Sequence, residues 1–188
     1  MADALEDVQY YTYRDYLDFR ENVRCELIYG EAFMMSAPSD WHQAMVGELH
    51  GQLWNFFKGK LCRVRVAPFD VRLFPKEDDS DDVVVQPDLM VICDKSKRED
   101  GRACKGAPDF IIEVLSRSTR SHDFLRKRAI YEKAGVREYW VVGEDAVFKY
   151  ALIDGMYVET VHPIAAAPVD VPVDLFENCV LRFDPNLD

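Results

Sequence analysis

The chain has 188 residues, 48% hydrophobic and 30% charged, which suits one soluble domain with a real core and excludes a disordered chain. A net charge of −11 excludes a broad, sequence-blind grip on nucleic acid, which needs a basic surface, while leaving room for a local basic groove. No apolar run approaches the roughly 20 residues that span a bilayer.

In chain order, Thr12 with Asp15 three positions on resembles a capping box, and predicts a short helix over residues 13–22. Residues 25–29 and 31–35 read as two strands turning at Tyr29-Gly30. Ala37-Pro38-Ser39-Asp40 signals a helix start, and Val46, Leu49, Leu53, Phe56 and Phe57 recur at helical spacing behind it. His42 and His50 lie on or beside that stripe and read as ordinary helix histidines. Strands are expected at 63–66 and 69–74, broken at Pro68, followed by an acidic run at 76–82 that reads as a solvated loop. Two apolar strands follow, one through Asp88 and one through Glu113. After the polar turn 116–121 come a helix at 123–134 stopped by Gly135, and strands at 138–142, 146–153 and 156–161. Residues 163–188 read as an irregular tail. The expected architecture is a single α/β domain in which helices cover a mixed sheet. Five scattered cysteines without a C-x-x-C pair suit free thiols in a reducing cytoplasm. The acidic N-terminus also lacks the order of a signal peptide.

The unusual residues are Asp88, in V-V-V-Q-P-D-L-M-V-I-C, and Glu113, in P-D-F-I-I-E-V-L. A charge inside such a run is costly unless paired or bound to a cation. Strand alternation puts Asp88 on a face with Met90 and Ile92, and Glu113 on a face with Ile111 and Leu115. If the strands are neighbours, both carboxylates reach one hard cation, and Mg²⁺ asks for only one or two carboxylates. The bland alternative is a turn cap or a surface arginine pair for each. Asp109 also follows a proline. However, it lies four residues from Glu113 on one strand, roughly 13 Å away at about 3.3 Å per residue, so it reads as a strand-start residue. On the helix 123–134, Asp123, Phe124, Lys127, Ile130, Tyr131 and Ala134 share a face. Lys127 at its centre is either half of an Asp123–Lys127 pair or an ammonium aimed at the carboxylates.

Pro87-Asp88 and, after 24 intervening residues, Glu113-Val114-Leu115 resemble the PD-(D/E)XK nuclease motif. With C-E-L-I-Y-G-E at 25–31, S-A-P-S-D-W-H-Q at 36–43, D-V-R-L at 70–73 and the blocks 106–119 and 123–142, residues 12–162 resemble the Uma-two family of restriction-endonuclease-like proteins. The resemblance implies a restriction-endonuclease-like mixed sheet flanked by helices and Mg²⁺-dependent (or Mn²⁺-dependent) hydrolysis of DNA phosphodiesters. It further implies a homodimer, Asp88 and Glu113 as metal ligands, and Glu26 as an additional acid. The motif's lysine, expected two residues after the second acid, is replaced by Leu115, and Lys127 is the residue that fits a migrated role. The alternatives are a catalytically silent nuclease fold serving as a binding or regulatory module, and a hydrolase of another phosphate ester. Arg63, Arg65, Arg117, Arg120, Arg126 and Lys133 are candidates for a DNA-binding cleft or for an ordinary solvated surface.

Overall fold

A computed structural model describes residues 9–20, 23–98, 101–115 and 122–186, with the side chains of 122 and 123 excepted. The polar turn 116–121, with Arg117 and Arg120, and the side chain of Asp123 lie outside the described residues.

Helix α1 (Tyr13–Phe19) begins as expected: Asp15 N donates to Thr12 Oγ1 and Thr12 N to Asp15 Oδ2. It ends three residues earlier than expected, at Phe19. Strands β1 (Cys25–Ile28) and β2 (Glu31–Met34) form an antiparallel hairpin. Its turn needs positive φ at Tyr29 (51°) and Gly30 (82°), a pairing that matches the twist of a two-residue hairpin. Gly30 is also packed under the Tyr10 ring, where a Cβ would lie 2.2 Å from a ring carbon.

Two sheets carry the fold. The first runs β2-β1-β5-β4-β7, with β4 at Asp70–Arg72, β5 at Val84–Val85 and β7 at Ala103–Lys105. The second is formed by β3 (Arg63–Val66), β6 (Leu89–Ile92), β8 (Phe110–Val114), β9 (Glu138–Val142), β10 (Ala146–Ile153) and β11 (Met156–Pro163), in the order β11-β10-β9-β8-β6-β3. Its pairs are antiparallel except β8–β9. A parallel pair needs a long crossover, and helix α3 (His122–Ala134) lies in this one.

Strand alternation divides the core. Leu89, Val91, Phe110, Ile112 and Trp140 pack with Met45, Leu49 and Leu53 of helix α2 (Asp40–Phe57). Met90, Ile92, Ile111, Tyr139 and Val141 pack on the other face with Ile130 and Tyr131 of α3, and with Ile28, Val71 and Val85 of the first sheet.

Three expectations are corrected. The tail contains a hairpin, β12 (Val169–Pro172) and β13 (Val180–Phe183), whose Val171, Leu181 and Phe183 join the α2 side of the core. Its apolar residues are interrupted by Pro168 and Pro172, which masks the strand signal. Cys62 and Cys93 are joined by a disulfide rather than being free thiols. They stand opposite each other one step beyond the Arg63↔Ile92 pair of β3 and β6, and their sequence spacing carries no sign of that register. Residues 76–82 are not simply solvated: Asp81 is fully buried, with its Oδ1 2.5 Å and Oδ2 2.8 Å from the buried Arg72 guanidinium. Arg72 on β4 needs that counter-charge.

Glu138 ties the tail hairpin to the second sheet. Its carboxylate accepts from Trp140 Nε1 at 2.6 Å, Leu175 N at 2.8 Å and Asp174 N at 3.2 Å, with Lys149 Nζ 3.8 Å away. Glu138→Ala strands these three donors, while Lys149 keeps Asp174 Oδ2 at 2.9 Å and the Pro172 carbonyl. We expect it to lower the unfolding free energy by about 3–5 kcal/mol, since each buried donor left unpaired costs about 1–3 kcal/mol, read from the urea midpoint, with faster amide exchange in β12 and β13.

Candidate active site

The apolar run V-V-V-Q-P-D-L-M-V-I-C was expected to carry a strand through Asp88. Instead β5 belongs to the first sheet and β6 to the second, and residues 86–88 carry the chain across. Asp88 therefore sits at the crossing, just before β6, rather than inside a strand. Pro87 suits the crossing because it has no N–H to satisfy. The neighbouring Gln86 N–H donates to Glu26 Oε1 at 2.8 Å, and Ala67 N donates to the Asp88 carbonyl at 3.0 Å. β6 and β8 are antiparallel neighbours with Leu89 opposite Ile112. One step further along that register, Asp88 faces Glu113. The strand-alternation argument thus holds for Glu113, Ile111, Met90 and Ile92, which share the α3-facing side.

Lys127 is buried at 6% exposure and reaches this point from α3. Its Nζ lies 2.9 Å from both oxygens of Glu26 and 3.0 Å from Glu113 Oε1. The ammonium points at the carboxylates, and the alternative Asp123–Lys127 pair lies outside the described residues. Tyr131, one helical turn later, donates its hydroxyl to Glu113 Oε1 at 2.8 Å. Burial pushes the Glu113 carboxyl up to about 7, helped by the charges of Asp88 and Glu26, against the opposing pull of Lys127 and Tyr131. Burial, reinforced by Glu113, likewise holds the Tyr131 hydroxyl well above its ordinary value, so it stays a donor.

His42, read from sequence as an ordinary helix histidine, is the residue that reasoning missed. Ser39 Oγ caps α2 by accepting from His42 N at 3.3 Å, and this places the imidazole in the first turn, over the crossing. Its Nε2–H donates to Asp88 Oδ2 at 3.1 Å, and Val114 N donates to the same oxygen at 2.8 Å. An ionised carboxylate only accepts, so the Nε2–H tautomer is the one that fits. The hydrogen bond to Asp88 raises the imidazole's affinity for a proton, against the effect of burial. Among the described residues, His42 Nδ1 is buried without a hydrogen-bond partner. The available signal was its place three residues after the Ser39 cap.

Glu26, His42, Asp88, Glu113 and Lys127 line a cavity of about 450 Å³, walled by Phe33, Met34, Met35, Val46 and Phe124, with Arg24 and Arg126 at its rim. Of the six candidate cleft cations, Arg126 lines it. Arg63 instead bonds the carbonyls of Lys60 and Cys62, Arg65 donates to Val64 O, and Lys133 lies over the rings of Tyr29 and Phe74. Asp109 stands apart as expected, accepting from Cys93 N at 2.6 Å and pairing with Arg137.

Among the described residues, no group of three or more His, Cys, Asp and Glu side chains gathers as a metal cluster. A hydrated Mg²⁺ asks for less, one or two carboxylates and several waters. Asp88 and Glu113 each turn one oxygen into the protein, where it is fully engaged. Their other oxygens, Oδ1 and Oε2, have no hydrogen-bond partner among the described residues. Three carboxylates against one ammonium leave two negative charges in excess when all are ionised, which one divalent cation would balance. The donor set fits a single hard, hydrated cation.

A family model described as "Uma2: Putative restriction endonuclease" matches residues 9–177. No curated protein matches the sequence. Among solved structures, the crystal structure of a putative nuclease belonging to DUF820 from Anabaena variabilis ATCC 29413 superposes with a TM-score of 0.67 at 22% identity. The match covers 86% of this chain and 89% of that one, and it shows a shared fold.

Proposed function

The chain belongs to the Uma2 family of putative restriction endonucleases, and on that premise we propose that it is a Mg²⁺-dependent endonuclease hydrolysing DNA phosphodiester bonds, with Lys127 in the role of the missing motif lysine. The observation that carries the proposal is the placement of the Lys127 ammonium, 3.0 Å from Glu113, where Asp88 and Glu113 face each other across β6 and β8. A lysine from a helix thereby occupies the neighbourhood that Leu115 leaves without a cation.

Asp88 Oδ1 and Glu113 Oε2 would hold the ion, which Mn²⁺ could replace. Bound there, it supplies a Lewis acid that lowers the pKa of a water and offsets phosphate charge. Lys127 orients the attacking water and stabilises the charge that develops on phosphorus-bound oxygens. Glu26 anchors that ammonium and, through Gln86 N, the crossing that carries Asp88. His42 and Tyr131 hold the inner oxygens of Asp88 and Glu113, so the outer ones face the cavity. In the reaction the water oxygen bonds to phosphorus as one P–O ester bond breaks. One of the water's protons ends on the departing oxygen and the other stays on the new phosphomonoester or passes to solvent, giving a phosphomonoester and a hydroxyl.

Incubation with plasmid and oligonucleotide DNA in Mg²⁺, in Mn²⁺ and in EDTA tests the proposal, with cleavage expected in the first two and none in the third. A pH dependence follows from Glu113, whose carboxyl titrates near 7. Only its ionised form binds a cation, so the Mg²⁺ association constant should rise about tenfold per pH unit below 7 and level off above it. Calorimetric titration at fixed ionic strength measures this.

A further inference from the structure

Which form of DNA enters the site is a separate question from whether it is cleaved. Resting on the nuclease reading above, we infer that the cavity takes a single unstacked nucleotide, so that the substrate is single-stranded or locally unpaired DNA rather than an intact duplex.

The first reason is depth. Lys127 is 6% and Asp88 9% exposed, and the Glu113 side chain is 12% exposed. The cavity over them, about 450 Å³, is of small-ligand size. A duplex is stiff over about 150 base pairs, and its stacked nucleotides do not fold singly into such a space. A phosphate reaches the carboxylates only if its nucleotide leaves the stack, which is easiest where the strand is already unpaired.

The second reason is the wall. The Arg126 guanidinium lies over the Phe33 ring, 4.3 Å from its centroid, and Phe124 also lines the cavity. Met34, 71% exposed, stands beside Phe33 at the mouth. Aromatic rings and guanidinium planes are the platforms on which unpaired bases stack, and methionine adapts to bases of different shape.

The third reason is charge. The chain carries a net −11, and among the described residues the rim cations are Arg24 and Arg126. That net charge disfavours the broad phosphate grip of a duplex binder, which engages about 6–10 phosphates.

Fluorescence anisotropy of the full chain with a ~20-nucleotide labelled strand and with its blunt duplex, in EDTA, tests the assignment without cleavage. The strand should bind at least about tenfold tighter, a factor stacking can supply, with log Kd rising against log salt less steeply than the roughly 0.9 per phosphate over 6–10 phosphates of a duplex binder. Phe33→Ala and, separately, Arg126→Ala should each weaken strand binding on the order of tenfold. Arg126 is exposed, so its variant remains informative if Phe33→Ala fails to fold. Equal or tighter duplex binding, or an unchanged strand affinity in Arg126→Ala, overturns the inference. Cleavage assays on the same two substrates in Mg²⁺ separate the claims. Equal cleavage of duplex and strand removes the strand preference and leaves the nuclease standing. Selective strand binding without any cleavage supports the occupant and removes the nuclease.

Discussion

Lys127→Met should lower the unfolding free energy by about 3–5 kcal/mol, because it strands the buried Glu26 carboxylate, and should lower the DNA cleavage rate by roughly 10²–10³-fold. Glu26 is 3% exposed and has both oxygens 2.9 Å from the ammonium. Loss of that partner also pushes Glu113 further toward its protonated form, since Lys127 is the strongest influence holding its carboxyl down. The double variant Glu26→Gln/Lys127→Met separates support from chemistry. A glutamine at 26 still accepts from Gln86 N but buries no charge. Stability should return to within about 1–2 kcal/mol of wild type, as replacing a whole buried pair usually allows, while cleavage stays low. If cleavage returns together with stability, Lys127 is a structural counter-ion and has no part in the chemistry.

Asp88→Asn and Glu113→Gln should each weaken Mg²⁺ binding by about 100-fold or more, because each removes one of the two charges proposed to hold the cation. Both keep an oxygen for the inner hydrogen bonds, from His42 and Val114 N in one case and from Lys127 and Tyr131 in the other. The folds should therefore survive. Glu113→Gln carries a further sign. The folded carboxyl titrates near 7, above the roughly 4.3 of an unfolded glutamate. Its stabilising contribution is complete below the unfolded value and is lost as pH rises through 7. Wild type should thus lose stability from pH 4.5 to 7.5 relative to Glu113→Gln, with no such divergence above pH 8. Parallel urea midpoints across that range measure it. A wild type that gains on the variant as pH rises would mean that the ionised form is the one the fold favours.

The elements were legible where local chemistry decides them. Thr12 and Asp15 marked the α1 cap, Ser39 marked the start of α2, and alternation at 138–142 gave β9 to the residue. What depended on partners was not. Val84 and Val85 look continuous with Leu89 onward, and only their pairing with β1 and β4 shows that the chain changes sheet at Asp88. The Cys62–Cys93 bond and the buried Asp81–Arg72 pair are likewise products of register and of a return of the chain. In the site, Lys127 was found because it breaks an apolar stripe. Glu26 and His42 break nothing in the sequence around them. Glu26 entered through family resemblance, and His42 was passed over. The site forms where two sheets and two helices meet, so its members are spread over about a hundred residues, from 26 to 127.

The most direct test of the central claim, that Asp88 and Glu113 hold one divalent cation for phosphodiester hydrolysis, is a side-by-side cleavage assay. Wild type, Asp88→Asn and Glu113→Gln would be given the same labelled DNA in Mg²⁺ and in EDTA. The site predicts cleavage by wild type in Mg²⁺ only, with both variants slower by at least about 10³-fold. Variants that cleave at the wild-type rate, or a wild type that cleaves equally in EDTA, would contradict it.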